Sequence, residues 1–359
     1  MKKTARVAAL MAAAALTLAG CGERGSTTTE PETSDTPSSS APAESNPDFK
    51  ACMVSDSGGF DDKSFNQTSN KGLQDAKSAL GIETAQIESQ ADTEYADNID
   101  ACIQQGANHV TTVGFLLGEA TETAAKQNAD VDFAIVDFAY ETPSDNLKGL
   151  TFNTAEPSFL AGYLAAGMSE TGTVGTFGGL PIPTVTIFMT GFYQGVQQYN
   201  EDEGADVQVV GWNPNSEKGS FTEDFEDKTK GQTIGENMIQ QGADVIFPVA
   251  GPAGLGGLQA AQDNDAFGIW VDTDGCVSAA EYCDVLLTSV MKGMDVAVQQ
   301  AIADSVEDNY SSEPFVGTLE NEGVGLAPYN DLDSEIPQEL KDRIEELKQQ
   351  IIAGEIEVG

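Results

Sequence analysis

The chain reads as α/β, with two doubly wound parallel-sheet lobes joined by a hinge. Three observations predict this. Roughly 310 residues follow Lys50, more than one hydrophobic core usually serves. Strand-like and helix-like patterns alternate along them, the order that builds parallel sheets covered on both faces. The second half also repeats words of the first. Gln104-Gln105-Gly106-Ala107-Asn108-His109-Val110 returns as Gln240-Gln241-Gly242-Ala243-Asp244-Val245-Ile246.

The elements follow in order. Residues 50–55 form a short, largely apolar run and read as the first strand. Apolar spacing through Phe65, Leu73, Ala76 and Leu80 predicts a helix over 64–80. Strands are expected over 83–88, 109–114 and 133–138, with helices over 95–105 and 119–127. In the second half an Ala-rich helix ending at Leu258-Gln259-Ala260-Ala261 matches Thr123-Ala124-Ala125, and Ile269-Trp270-Val271-Asp272 matches Ala134-Ile135-Val136-Asp137. Each copy thus ends a strand in an aspartate. Ligands of open parallel sheets sit beyond the carboxyl ends of the strands, so Asp137 and Asp272 are expected to face each other across a cleft. The amphipathic stretch 336–352 carries Leu340, Ile344, Leu347 and Ile351 on one face and is expected to pack on the second lobe. The lobes are expected over 48–153 with 285–318, and over 154–284 with 319–359.

The first 47 residues have another character. Lys2, Lys3 and Arg6 precede a short Ala- and Leu-rich run, too short to span a bilayer, which reads as a signal over 1–20. Leu18-Ala19-Gly20-Cys21 resembles the bacterial lipobox, which implies acylation of Cys21 and a membrane-held chain. Residues 23–46 contain no Leu, Ile, Val or aromatic side chain, so 21–47 reads as a disordered tether.

Acidic residues outnumber basic ones 58 to 17, for a formal charge of −41. Such a surface argues against nucleic acid and anionic lipid headgroups as partners. The acids are dispersed, as suits a solvated surface, and no calcium loop motif appears. Beyond Cys21 four cysteines remain, an even number consistent with export. Cys276–Cys283 would close a short loop, leaving Cys52–Cys102; four buried free thiols are the alternative. A 2-1-3 strand order would carry the Cys102 helix over the Cys52 strand. With His109 the sole histidine and the cysteine spacing wrong, no zinc site is expected.

Chemistry-bearing residues are densest over 54–66, between the first strand and first helix. Gly58-Gly59 permits a sharp turn, and Asp61, Asp62 and Ser64 suit helix capping. Phe65 and Asn66, at a helix start beside the cleft, suit a flat heterocycle that one stacks on and the other reads. This segment is similar to the signature of the basic membrane protein family of solute-binding lipoproteins of ABC importers. The likeness continues at Phe159-Leu160-Ala161-Gly162-Tyr163, Gly191-Phe192-Tyr193-Gln194-Gly195, Val271-Asp272-Thr273-Asp274, Leu287-Thr288-Ser289-Val290-Met291-Lys292 and Gly323-Val324-Gly325-Leu326-Ala327-Pro328.

That resemblance implies a type I periplasmic-binding-protein-like fold and a monomer that captures a purine nucleoside (guanosine, inosine or adenosine) for an ABC permease and ATPase. It implies no enzymatic activity and no cofactor, at the extracytoplasmic face of the cell membrane. Phe65 and Phe192 would sandwich the base. Asn66 and Asp137 would bond its edge, and Asp56, Gly251, Asp272 and Lys292 would hold the ribose, with Asp274 competing for the role of Asp272. A ligand-sensing lipoprotein, or a nucleoside hydrolase using Asp56, Asp61 and Asp62, are the alternatives. The cysteine-bounded segment after Asp272 and the polar strip 213–227 depart from the family pattern. Trp212 reads as a packing residue or a rim aromatic.

Overall fold

The computed structural model describes residues 45–359. The signal, Cys21 and nearly all of the tether lie outside the described residues. The folded chain starts slightly before the expected residue 48, because Asn46 donates through both backbone and side chain to the Leu80 carbonyl.

The first half runs β1 (Lys50–Ser55), α1 (Phe65–Leu80), β2 (Glu83–Glu88), α2 (Tyr95–Gln104), β3 (His109–Val113), α3 (Gly118–Gln127), β4 (Asp132–Val136) and β5 (Leu147–Phe152). The second continues through α4 (Ala155–Met168), β6 (Thr173–Gly178), α5 (Pro183–Glu203), β7 (Gln208–Val210), a small hairpin of β8 (Trp212–Asn213) and β9 (Lys218–Gly219), and α6 (Lys228–Gln240). It then adds β10 (Val245–Val249), α7 (Gly251–Asp263), β11 (Phe267–Asp272), the one-turn α8 (Gly275–Ser278) and β12 (Leu286–Lys292). Last come α9 (Met294–Val306), β13 (Phe315–Gly317), β14 (Val324–Leu326) and α10 (Gln338–Ile352).

Two six-stranded sheets result, ordered β2-β1-β3-β4-β5-β13 and β7-β6-β10-β11-β12-β14. All pairings are parallel except β14 against β12. The expected boundary at 285 is corrected: β12 pairs with β11 and so belongs to the second sheet, and the chain crosses back only at Gly293. Its apolar run, buried at Leu286, Leu287 and Val290, completes the second core. α9 then packs on α1, and β13 extends the first sheet.

The sequence repeat is a structural one. Gly106 and Gly242 adopt φ of 81° and 103°, which glycine reaches without steric cost, and turn each helix into the next strand. Their amides donate to Ile103 and Ile239, each at 2.9 Å, and the next residues, Ala107 and Ala243, donate to Cys102 and Met238. Both disulfides are present: Cys52–Cys102 joins β1 to α2, and Cys276–Cys283 straps the turn after β11.

Helices α4 and α5 pack closely. Cβ atoms added at Gly162 and Gly195 would lie 2.0 and 1.9 Å from the carbonyl oxygens of Phe192 and Phe159, so only hydrogen fits there. α10 buries Ile344, Leu347 and Ile351 and sets Leu340 against Gly167 of α4, as the amphipathic pattern requires. Among the described residues no helix is long and apolar enough to cross a membrane.

Candidate functional site

A cleft lies between the strand ends of the two sheets. Seven of the eight expected residues line it: Asp56, Phe65, Asn66, Asp137, Gly251, Asp272 and Lys292. The β1–α1 loop supplies Asp56, and the first turn of α1 supplies Phe65 and Asn66. Asp62 organises this loop, accepting the amides of Ser64, Asn66 and Gln67 at 2.8–3.0 Å, so the start of α1 is capped and Asn66 is held at the cleft. The Asn66 amide donates to Asp56 Oδ1 at 3.0 Å and to the Ser57 carbonyl at 3.2 Å. Both partners are acceptors, which fixes the amide's orientation; Asn66 Oδ1 is then buried with no hydrogen-bond partner.

Asp137 and Asp272 sit one step beyond β4 and at the end of β11, with φ of 67° and 69°. This left-handed turn, which aspartate tolerates better than most residues, lies where a doubly wound sheet exposes its strand ends. Lys292, ending β12, reaches across to Asp137 Oδ2 at 2.5 Å, with side-chain exposures of 2% and 10%. Its ammonium is 4.7 Å from the Phe65 ring centroid and 5.7 Å from that of Phe188. Asp272 accepts the Ser64 hydroxyl, a bond between the two halves, and Trp270 Nε1 of β11 donates to the Lys63 carbonyl at 3.3 Å. Asp274 caps α8 through the Cys276 amide and accepts from Asn330, and it does not line the cleft.

Burial dominates the electrostatics. It lifts Asp56 to about 8, with Asp62 and Asp137 adding repulsion and the Asn66 hydrogen bond opposing. Asp272 rises to about 6 for the same first reason, moderated by Lys292 and Ser64. Asp137 is pulled both ways, up by burial and down by Lys292. Among the described residues no group of His, Cys, Asp and Glu is arranged to hold a metal ion.

The expectation for Phe192 is corrected. Its side chain is fully buried, stacked at 5.2 Å on Phe247, and its backbone faces Gly162 of α4. The Gly-Phe-Tyr-Gln-Gly and Phe-Leu-Ala-Gly segments are therefore the two sides of one helix interface. Phe188, one turn earlier on α5, takes the cleft position with Val185 and Thr184. The four-residue spacing from Phe192 was the available signal. Phe225, inside the strip flagged as polar, and Phe115, following Gly114, also line the cleft. Trp212 is a packing residue, bonded through Nε1 to Thr190 and edge-on to Phe221.

Two linked doubly wound sheets with a cleft between their strand ends have the architecture of the type I periplasmic fold. The family model described as "ABC transporter substrate-binding protein PnrA-like" matches residues 49–359, and the chain belongs to that family, Bmp. It is 30% identical over 99% of both chains to a protein of Lactococcus lactis subsp. cremoris named "ABC transporter nucleoside-binding protein BmpA". It is also 30% identical to the "CD4+ T-cell-stimulating antigen" of Listeria monocytogenes, over 88% of this chain and 89% of that one. A solved solute-binding protein of an Aeropyrum pernix ABC transporter system superposes with a TM-score of 0.77 at 28% identity, covering 86% of this chain and 92% of the other. The chain is accordingly the non-catalytic, ligand-binding component of an ABC transporter, with a permease and an ATPase as partners.

Proposed function

We propose that the cleft captures a purine nucleoside, guanosine, inosine or adenosine, and that acylated Cys21 holds the monomer on the extracytoplasmic face of the cell membrane beside its permease. The observation that carries the ligand class is the buried, unpartnered Asn66 Oδ1 in a cleft whose other polar groups are mostly carboxylates and which Phe65 and Phe188 also line. Such a lining suits a neutral solute with a flat face and many hydrogen-bond donors. In this reading Phe65 and Phe188 flank the base, and Asn66 and Asp137 bond its edge. Asp56, Gly251, Asp272 and Lys292 hold the ribose. A phosphate would meet Asp272 and find the cleft's lysine, Lys292, already paired with Asp137, so nucleotides are rejected. The name of the Lactococcus relative supports the same ligand class.

The two sheets, as lobes, close by bending at three adjacent crossings near 153, 293 and 318–323. Asn153 donates to Gly317 at 2.8 Å, and Gly293 to Gly323 at 2.9 Å, so the crossings move as a unit. A thermal-shift panel of nucleosides, nucleotides, free bases and sugars tests the reading. Stabilisation by nucleosides and not by their monophosphates is expected; stabilisation by free sugars alone would overturn it.

A further inference from the structure

We propose that Asp56 sits in the cleft as the neutral acid and faces the solute as a hydrogen-bond donor. This rests on the capture reading for the solute and on the geometry of the cleft for the acid. Four buried carboxyls meet there, and three are compensated. Asp62 takes three backbone amides, Asp137 takes Lys292, and Asp272 takes the Ser64 hydroxyl and lies in the field of Lys292. Asp56 has one amide, Asn66 Nδ2 at 3.0 Å on Oδ1.

The groups facing Asp56 supply no cation. Asp62 lies on the β1–α1 loop and Asp137 at the end of β4, and both raise its proton affinity, while the Tyr95 phenol of α2 is itself pushed up partly by Asp56. Lys292 is the one lysine lining the cleft among the described residues, and it is committed to Asp137. Oδ2 lies against Gly114, where an added Cβ would come within 2.2 Å of it, so only a glycine there leaves room for this carboxyl. A buried carboxylate without a counter-charge takes up a proton. The upward shift, to about 8, has the direction this geometry requires.

A neutral Asp56 changes what the cleft offers. Beside the acceptor Asn66 Oδ1 it supplies a donor, and the pair matches a solute group with adjacent acceptor and donor atoms, such as a vicinal diol or a lactam edge.

Carbon-13 NMR of the full chain labelled at aspartate carboxyls tests the protonation without any ligand, the Asp56 resonance being assigned by its loss in Asp56→Asn. A midpoint above neutrality is expected, and a midpoint at or below pH ~7 would overturn the proposal. Calorimetry with adenosine, which does not itself titrate between pH ~7 and ~9, tests the donor role: wild-type affinity should fall by about tenfold over that range, while Asp56→Asn loses the pH dependence. An affinity that is flat or rising in the wild type would overturn the donor role. Should no nucleoside bind the wild type, the capture reading fails, and the NMR midpoint still decides the state of Asp56.

Discussion

Asp137 and Asp272 end corresponding strands of the two sheets with nearly the same left-handed backbone, φ 67° and 69°, yet they are neutralised differently. Asp137 belongs to the first sheet and is paired with the second sheet's Lys292; Asp272 belongs to the second and is bonded to the first sheet's Ser64 hydroxyl. The repeat fixes where each carboxylate stands. Burial raises both, and the side chain arriving from the other half sets what each is bonded to, so an ion pair marks one side of the cleft and a proton-sensitive acid the other.

Removing the partners should expose this difference. Asp137→Ala leaves the Lys292 ammonium buried and unpaired, which costs about 3–5 kcal/mol of stability. Urea denaturation should show that loss, and calorimetry a fall in nucleoside affinity of about a hundredfold or more. Phe192→Ala should cost a similar ~3–5 kcal/mol by opening a cavity between α5 and β10. Phe188→Ala should instead lower nucleoside affinity by about tenfold with a smaller loss of stability. Equal affinity losses for the two phenylalanines would break the assignment of Phe188 to the cleft.

Asp272→Ala should destabilise less than Asp137→Ala, by about 1–3 kcal/mol, because it strands a hydroxyl and not a buried charge. A separate effect concerns pH. Asp56 ionises in the ordinary carboxylate range when unfolded and at about 8 when folded. The folded chain therefore holds the extra proton between those limits, and the Asp56 contribution to stability is lost as pH rises toward 8. Melting temperatures should fall across this range more steeply in the wild type than in Asp56→Asn.

Much of this was legible from residues alone. The Gln-Gln-Gly-Ala repeat located equivalent turns in both halves, because helix exits of this kind need a glycine with positive φ. The terminal aspartates then marked the strand ends, and the 2-1-3 order placed Cys52 under Cys102. Three things were not legible. Phe192 and Phe188 lie one turn apart on α5, and only the closeness of α4, set by Gly162 and Gly195, decides which is core. The move of β12 into the second sheet depends on long-range pairing with β11, which local pattern does not report. Ser64 was legible as part of a helix start, but its bond to Asp272, 208 residues away, was not.

The central claim is that Asp137, held by Lys292, anchors a nucleoside in the cleft between the sheets. Calorimetric titration of guanosine, inosine and adenosine into the wild type and Asp137→Asn, the latter first checked for folding by circular dichroism, tests it most directly. The account predicts saturable one-to-one binding to the wild type, weakened at least tenfold by the substitution. Wild-type affinity in Asp137→Asn, or no nucleoside binding by the wild type, would contradict it.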